Sequence, residues 1–278
     1  MNLVIPLKIQ NKMARKLWLA SQGLCLSPTG SLDLLGIIKN LGFVQLDSIQ
    51  VVSRAHHHIL WSRNKNYREP MLDNLLSNER SIFEHFTHDA SVIPMEFLPF
   101  WKRQFHRKKE KLDQAKWFKG LPDKHEREVI KNRIDRDGPL STHAFDTKVD
   151  SPGKMWSRPP HKLALDYMWY AGELATSHRI NFNKYYDLAE RIFPKTLRDL
   201  DVSDKDQINW LCNAALDRMG FGLPSELQQY WDAVSVKEVN AWLISTQANI
   251  QEVEVETSEG QWIKAVAPIN IEDRLAAL

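Results

Sequence analysis

The chain has 278 residues, of which 43% are hydrophobic and 26% charged, an ordinary globular composition with room for several small domains. Its 37 lysines and arginines almost balance 35 aspartates and glutamates, so any surface for a nucleic acid must be local. The isolated Cys25 and Cys212 disfavour a structural zinc site and favour a reduced, cytoplasmic setting. No apolar run has the length of a membrane span or a signal peptide.

The first ninety residues predict a small helical unit with a β wing. Apolar residues at helical spacing indicate helices over 8–21, over 31–42 with Ser31 as the cap, and over 47–63. The strand-like segment 81–93 is the predicted wing. This layout is typical of a helix-turn-helix core.

The same order of elements is predicted twice more. The segment 124–138 reads as a helix, a GPLS turn with a short helix follows, and a third helix and a hairpin end near 188. The last repeat covers 203–268. The predicted fold is therefore mainly α with small β wings, as three winged-helix units over 1–120, 121–200 and 201–278.

The third unit is predicted to act as a brace. In its hairpin Glu252, Glu254 and Glu256 alternate with valines, so one face of the strand should be acidic. An acidic face repels a phosphate backbone, and this unit is not expected to read a DNA groove.

Residues 44–63, VQLDSIQVVSRAHHHILWSR, are the best candidate for chemistry. In an extended chain Gln45 and Asp47 point to one side while Val44 and Leu46 face the core. A carboxylate and an amide on one side can hold a water, which the carboxylate can deprotonate. The alternative is that Asp47 or Ser48 caps a helix starting near Ile49.

Two further clusters have plain alternatives. His56, His57 and His58, or His85 with His88, invite a metal, but consecutive helical histidines diverge, and solvent-facing or phosphate-facing rings are the simpler explanation. No metal and no cofactor are predicted. The basic block 101–119 is more often a solvated helix face than a phosphate surface, although its interleaved aromatic residues favour phosphate contact.

Together the run 44–63, the GPLS turn at 138–141, the segment 172–194 and the three helix-and-hairpin repeats resemble the bacterial winged-helix DNA glycosylases of the AlkZ/YcaQ kind. That family removes N7-alkylated purines and unhooks interstrand crosslinks. Its motif, Gln, any residue, then Gln or Asp, maps onto Gln45 and Asp47. The resemblance implies a C-shaped array with the motif on its concave side, and the family's C-terminal β-barrel segment is expected to be absent here.

The resemblance implies a monofunctional DNA glycosylase, in which Asp47 activates a water that Gln45 orients. The expected partner is damaged double-stranded DNA, bound by a monomer in the cytoplasm near the nucleoid. DNA contacts are expected from basic residues beside the motif, in the basic block and in the second unit: Arg54, His56, His57, Arg63, Lys102, Arg103, Arg158, His161 and Arg179. From the residues alone, without the resemblance, a winged-helix transcription regulator ranks first. A non-catalytic scaffold is a further alternative.

Overall fold

The computed structural model describes residues 6–115, 120–145 and 158–278. Its helices are α1 (Asn11–Ser21), α2 (Leu34–Leu41), α3 (Ala55–Trp61), α4 (Glu69–Ser77), α5 (Leu98–Asp113), α6 (Lys124–Asp137), α7 (Pro160–Tyr170), α8 (Ala189–Ile192), α9 (Lys195–Arg198), α10 (Asp204–Met219), α11 (Pro224–Trp231), α12 (Val236–Ser245) and α13 (Ile271–Ala276). Short 3-10 helices cover Met95–Phe97 and Thr142–Ala144. In the described residues no helix has the length and apolar character needed to cross a bilayer.

Nine short strands in the described ranges form three small sheets. The strands are β1 (Leu7–Ile9), β2 (Val44–Gln45), β3 (Ile82–Phe86), β4 (Ala90–Pro94), β5 (Leu140–Ser141), β6 (Leu174–Ile180), β7 (Asn183–Leu188), β8 (Ile250–Glu256) and β9 (Trp262–Pro268). The sheet orders are β1-β8-β9, β2-β4-β3 and β5-β7-β6. Each sheet contains one antiparallel hairpin of consecutive strands. The hairpins predicted in the second and third repeats are therefore confirmed, and the strand-like wing predicted at 81–93 forms the β3–β4 hairpin.

Local sequence explains where the helices begin and end. The α6 helix starts with a capping box, in which the Asp123 side chain accepts from the Glu126 amide and Glu126 accepts from the Asp123 amide. It ends at Gly138, whose φ of 84° suits glycine. At the end of α7, Gly172 has φ of 71° and an added Cβ would lie 2.7 Å from the Phe105 ring. Only glycine fits this close approach.

Contacts divide the chain into two compact units that alternate along it. Unit 1 combines residues 1–44, 55–67 and 202–278. Its core contains Ile9 and Leu17 against Val253 and Val255 of β8. The predicted alternation of β8 is confirmed, since both valines are buried while Glu254 pairs with Lys8 at 3.5 Å.

Unit 2 combines residues 45–54 and 68–201. Its core is built mainly from the apolar residues of α7, together with Leu112 of α5, Ile134 of α6 and the start of β6. Trp101 of α5 is completely buried in the same unit. The α7 helix is apolar on most of its surface because α5, α6 and the β6–β7 hairpin all pack against it.

Several predicted helix boundaries are wrong. The predicted helix over 8–21 starts at Asn11, because Leu7–Ile9 pairs in parallel with β8 through contacts distant in sequence. Asp33, not Ser31, caps α2 through the Gly36 amide, 2.8 Å away. The predicted helix over 47–63 is limited to Ala55–Trp61. The helix Glu69–Ser77 was not predicted at all.

The basic block 101–119 is a packed helix as far as the structure describes it. Residues 101–113 belong to α5, whose Trp101 and Phe105 are buried, so these rings are part of the core and cannot stack on bases. Trp117 and Phe118 lie outside the described residues. The alternation of basic and aromatic residues in this block is therefore explained in part by an amphipathic helix that packs in unit 2.

Candidate active site

Gln45 and Asp47 lie at the end of β2, where the chain enters unit 2. Val44 and Leu46 have exposed fractions of 2% and 7%, whereas Gln45 is exposed and Asp47 is half-buried. The Leu46 amide donates to the Ala90 carbonyl at 2.7 Å, which holds the segment against β4. The predicted alternation is confirmed, and the amide and carboxylate groups both point away from the core.

The Asp47 carboxylate is oriented by the backbone that follows it. Its Oδ1 accepts a hydrogen bond from the Ile49 amide at 2.8 Å, the local turn that aspartate forms with the residue two positions on. No helix starts at Ile49, because residues 48–54 have no helical structure and α3 begins at Ala55. The helix-capping alternative for Asp47 and Ser48 is therefore wrong.

Residues 48–53, which we call the apolar loop, expose three β-branched side chains. The exposed fractions are 69% for Ile49, 89% for Val51 and 86% for Val52. The Ser53 hydroxyl donates to Glu69 at 2.6 Å and fixes the far end of the loop. Sequence periodicity missed this feature, although three β-branched residues in four positions, with serine on either side, disfavour a helix.

Arg54 and Arg179 meet at the tip of the β6–β7 hairpin. Their guanidinium carbons lie 4.3 Å and 4.4 Å from the centroid of the Phe182 ring. Phe182 has φ of 67°, a strained value for a bulky residue, and Arg179 donates to its carbonyl. The hairpin tip is thus fixed by cation–π contacts to the segment that follows the apolar loop.

Arg179 also binds a buried carboxylate. Its guanidinium makes two hydrogen bonds to Glu84, at 2.9 Å and 2.7 Å, and Lys184 lies 3.1 Å from the same carboxylate. Burial alone raises the pKa of Glu84, but Lys184 and Arg179 outweigh it and lower that pKa to about 2. Arg179 was predicted to contact DNA, and the structure shows its guanidinium bound to Glu84 inside unit 2.

His85 is a core residue and not a metal ligand. Its Nδ1 accepts from the Trp101 indole at 2.9 Å, and its Nε2 donates to the Tyr170 carbonyl at 3.2 Å. Burial lowers the pKa of His85 to about 3, so the ring is neutral. Over the described ranges, no group of three or more His, Cys, Asp or Glu is arranged to hold a metal ion.

Three predicted DNA contacts belong to unit 1. His56 is buried, and His57 shares a hydrogen bond of 2.7 Å with the Tyr67 hydroxyl. Arg63 donates to the carbonyls of Gln22 and Ile59, and burial lowers the pKa of its guanidinium. All three side chains are thus packed or hydrogen-bonded within unit 1, with His56 buried and His57 and Arg63 half-buried.

The other four predicted contacts belong to unit 2 and differ in exposure. Lys102 donates to the Leu200 carbonyl, and Arg103 is 8% exposed. His161 is 7% exposed and its ring stacks on Phe145. Arg158 keeps a side chain 48% exposed, with one nitrogen 3.4 Å from Asp166. Of the four, only Arg158 presents much of its charged group to solvent.

The described residues define a mainly helical protein with small sheets and a carboxylate and an amide directed away from the core beside an exposed loop. A family model described as DNA glycosylase AlkZ-like matches residues 38–277, which include Gln45 and Asp47. The chain therefore belongs to the AlkZ-like family of DNA glycosylases, and it is an enzyme that acts on DNA.

A solved structure agrees with this assignment at the level of the fold. The Streptomyces sahachiroi DNA glycosylase AlkZ is similar with a TM-score of 0.66 at 13% sequence identity. The match covers 98% of this chain and 73% of that chain. The family assignment favours the enzyme over a transcription regulator or a non-catalytic scaffold.

Proposed function

We propose that this DNA glycosylase is monofunctional and hydrolyses the N-glycosidic bond of N7-alkylated purines, including crosslinked ones. Asp47 activates the attacking water and Gln45 orients it. The observation that supports this most is the outward alternation of Gln45 and Asp47 beside buried Val44 and Leu46, with the carboxylate oriented by the Ile49 amide.

The chemistry of the substrate explains why two side chains are enough. An N7-alkylated purine already carries a positive charge, so the base can leave without a protonating acid. The remaining tasks are to stabilise the oxocarbenium-like sugar and to deliver water to its anomeric carbon. An ionised carboxylate does both, and the Gln45 amide can donate to the water and accept from it.

Hydrolysis is preferred to a Schiff base with the sugar because no lysine occurs in the motif. Lys184 in unit 2 is not available either, since its ammonium lies 3.1 Å from Glu84 and 3.3 Å from the centroid of the Trp169 ring. Borohydride should therefore trap no covalent enzyme–DNA adduct. A trapped adduct would require a different nucleophile.

The frame that carries the pair is proposed to be three winged-helix units over 1–120, 121–200 and 201–278. The support is a recurring order along the chain: a helix, a short β segment, two further helices or helical turns, and a hairpin. This order occurs from α2 to β4 and again from α6 to β7. It occurs a third time from α10 to β9, where a β-bridge between Gly222 and Val266 takes the place of the short strand. We propose that the enzyme works as a monomer without a cofactor.

DNA contacts are proposed for the candidate residues that are not buried. Exposed Arg158 is the best of these, and half-buried Arg54, His57, Arg63 and Lys102 are the next. Buried His56, Arg103 and His161 are proposed to support the fold beside such contacts. Arg179 is proposed to position the hairpin through Glu84 and Phe182.

The test is incubation with a duplex that contains one N7-methylguanine, followed by alkali. The proposal predicts free base, a single alkali-labile break at the lesion, and the same yield with EDTA. A sharp sequence-specific footprint without base release would identify a regulator instead. A strand break without alkali would contradict a monofunctional enzyme.

A further inference from the structure

We propose that the apolar loop, residues 48–53, is a wedge that enters the base stack of duplex DNA beside the lesion. Val51 and Val52 are the side chains that pass between base pairs, and the exposed Ile49 precedes them in the loop. This inference rests on the proposed function, because it places duplex DNA at Gln45 and Asp47.

The exposure of the loop is the first support. Val51 and Val52 have the largest exposed fractions among the big apolar side chains of the described residues, at 89% and 86%. Other exposed large apolar side chains of the described residues occur singly or in pairs, such as Leu24 at 44% with Leu26 at 78%. Isolated exposed apolar residues are normal, whereas a group of three marks a binding surface.

The attachment of the loop is the second support. It is held at its start by the bond from the Ile49 amide to Asp47, at 2.8 Å, and at its end by Ser53 and Glu69. The next residue, Arg54, stacks on Phe182. A wedge must keep its shape while bases separate around it, and a segment held at both ends loses little conformational freedom on binding.

The position of the loop identifies its partner. The hydrogen bond that orients the Asp47 carboxylate also fixes Ile49, so DNA that presents a sugar to Asp47 is next to the loop. Apolar side chains that enter DNA partly unstack a base step and kink the duplex. A crosslinked purine cannot swing out of the helix, and unstacking beside it is a way to expose its anomeric carbon.

The direct test uses 2-aminopurine placed next to an N7-methylguanine, because its fluorescence rises when it is unstacked. Binding is measured in the Asp47→Asn background, so that the base stays in place. We expect a rise with Asp47→Asn alone and with Val51→Leu/Val52→Leu added, and no rise with Val51→Ser/Val52→Ser added. An equal rise with the serine pair would overturn the wedge.

Excision by otherwise wild-type protein gives an independent readout. Val51→Ser/Val52→Ser should lower the single-turnover rate at least about tenfold, and Val51→Leu/Val52→Leu should keep it, because the leucines retain the apolar wedge. The control is Leu26→Ser/Ile269→Ser, which removes two apolar side chains exposed outside helices, at 78% and 61%, and should leave the rate unchanged. Equal loss in the control, or no loss in the serine pair, would contradict the proposal.

Two further results distinguish an error in the proposed substrate from an error in the proposed role of the apolar loop. If wild-type protein releases no N7-methylguanine, the proposed substrate is wrong, but the fluorescence rise still reports on the wedge. If light scattering shows a wild-type dimer that Val51→Ser/Val52→Ser dissociates, the loop binds a second copy of the chain and the wedge is refuted. Melting curves check that each variant is folded, as expected for substitutions at exposed positions.

Discussion

Two of the carboxylates in unit 2, those of Asp47 and Glu84, differ in exposure and in the groups that bind them. Asp47 follows a strand end, is half-buried, and receives a backbone hydrogen bond from Ile49. Glu84 lies in the middle of β3, has no exposed side-chain surface, and is bound by Arg179 and Lys184. The first carboxylate can approach a large substrate, and the second cannot.

The comparison shows that a strongly perturbed pKa does not by itself identify a catalytic group. The pKa of Glu84 is lowered to about 2 by two cations that close off its oxygens from any substrate. Ion-pair networks perturb pKa values as effectively as active sites do. Access to a reacting atom is therefore the better criterion here, and by that criterion Asp47, not Glu84, fits the proposed catalytic role.

The largest expected effect is on catalysis at Asp47. Asp47→Asn keeps the shape of the side chain but removes the charge that activates water, so the excision rate should fall by about a hundred- to ten-thousand-fold. Binding to the same duplex, measured by fluorescence anisotropy, should change little. Excision at the wild-type rate would remove Asp47 from the mechanism.

The next effect is on stability at Glu84. Glu84→Gln leaves Arg179 and Lys184 buried without their counter-charge, which typically costs about 3–5 kcal/mol of unfolding free energy. Urea denaturation would measure it. Asp47→Asn is the matched control and should lie within about 0.5 kcal/mol of wild type, as for a substitution outside the core. Equal losses in the two variants would erase the difference between the two sites.

Gln45 should have a smaller effect on rate than Asp47. Gln45→Ala removes the group that orients the water but leaves the carboxylate, so the single-turnover rate should drop by about a hundredfold, as for the loss of one positioned donor. Gln45→Glu would place a second negative charge beside the water without its donor and should not restore the rate. Full activity in Gln45→Ala would show that Asp47 works alone.

The smallest effect is a pH dependence of stability from His85. Its pKa is about 3 in the folded chain, against an ordinary histidine value of 6.5, so between these values the unfolded chain binds one more proton. Stability should therefore fall as pH drops below about 6.5, by about 1.4 kcal/mol per pH unit from this group. Glu84 acts in the same direction, but only below the ordinary glutamate value of 4.5.

Melting of wild type and His85→Gln between pH 6.5 and 5 measures the contribution of His85 as a difference, because His178, whose pKa burial also lowers, is present in both. His85→Gln should show a shallower pH dependence than wild type over this interval. If the variant does not fold, nitrogen NMR of the wild-type histidines should still show a neutral ring with its proton on Nε2 at pH 5. A charged His85 at that pH would contradict the hydrogen bonds from Trp101 and to Tyr170.

Sequence patterns predicted those parts of the fold that local chemistry controls. The hairpins β6–β7 and β8–β9 were predicted from alternation, and α6 was predicted from a polar helical segment that ends at Gly138. The strand β1 was missed because its partner, β8, is more than two hundred residues away. The helix predicted over 47–63 forms only at Ala55–Trp61, because a turn at Asp47 competes with helix formation at its start.

The candidate site was predictable only where local sequence determines the position of a side chain. Period-two alternation was enough to place Gln45 and Asp47 outside the core. The roles of Arg179 and His85 depend on Glu84 and Trp101, which are distant in sequence, and local patterns contain no information on such pairs. The Arg54 contact with Phe182 was unpredictable for the same reason.

One measurement tests the contrast between the Asp47 and Glu84 carboxylates most directly. It is single-turnover excision of N7-methylguanine by Asp47→Asn and by Glu84→Gln, measured in parallel at a temperature below both melting transitions. Glu84→Gln is predicted to retain a rate within about threefold of wild type per folded molecule, whereas Asp47→Asn loses at least about a hundredfold. The account is contradicted if Asp47→Asn excises the base at the wild-type rate, or if the two variants lose activity equally.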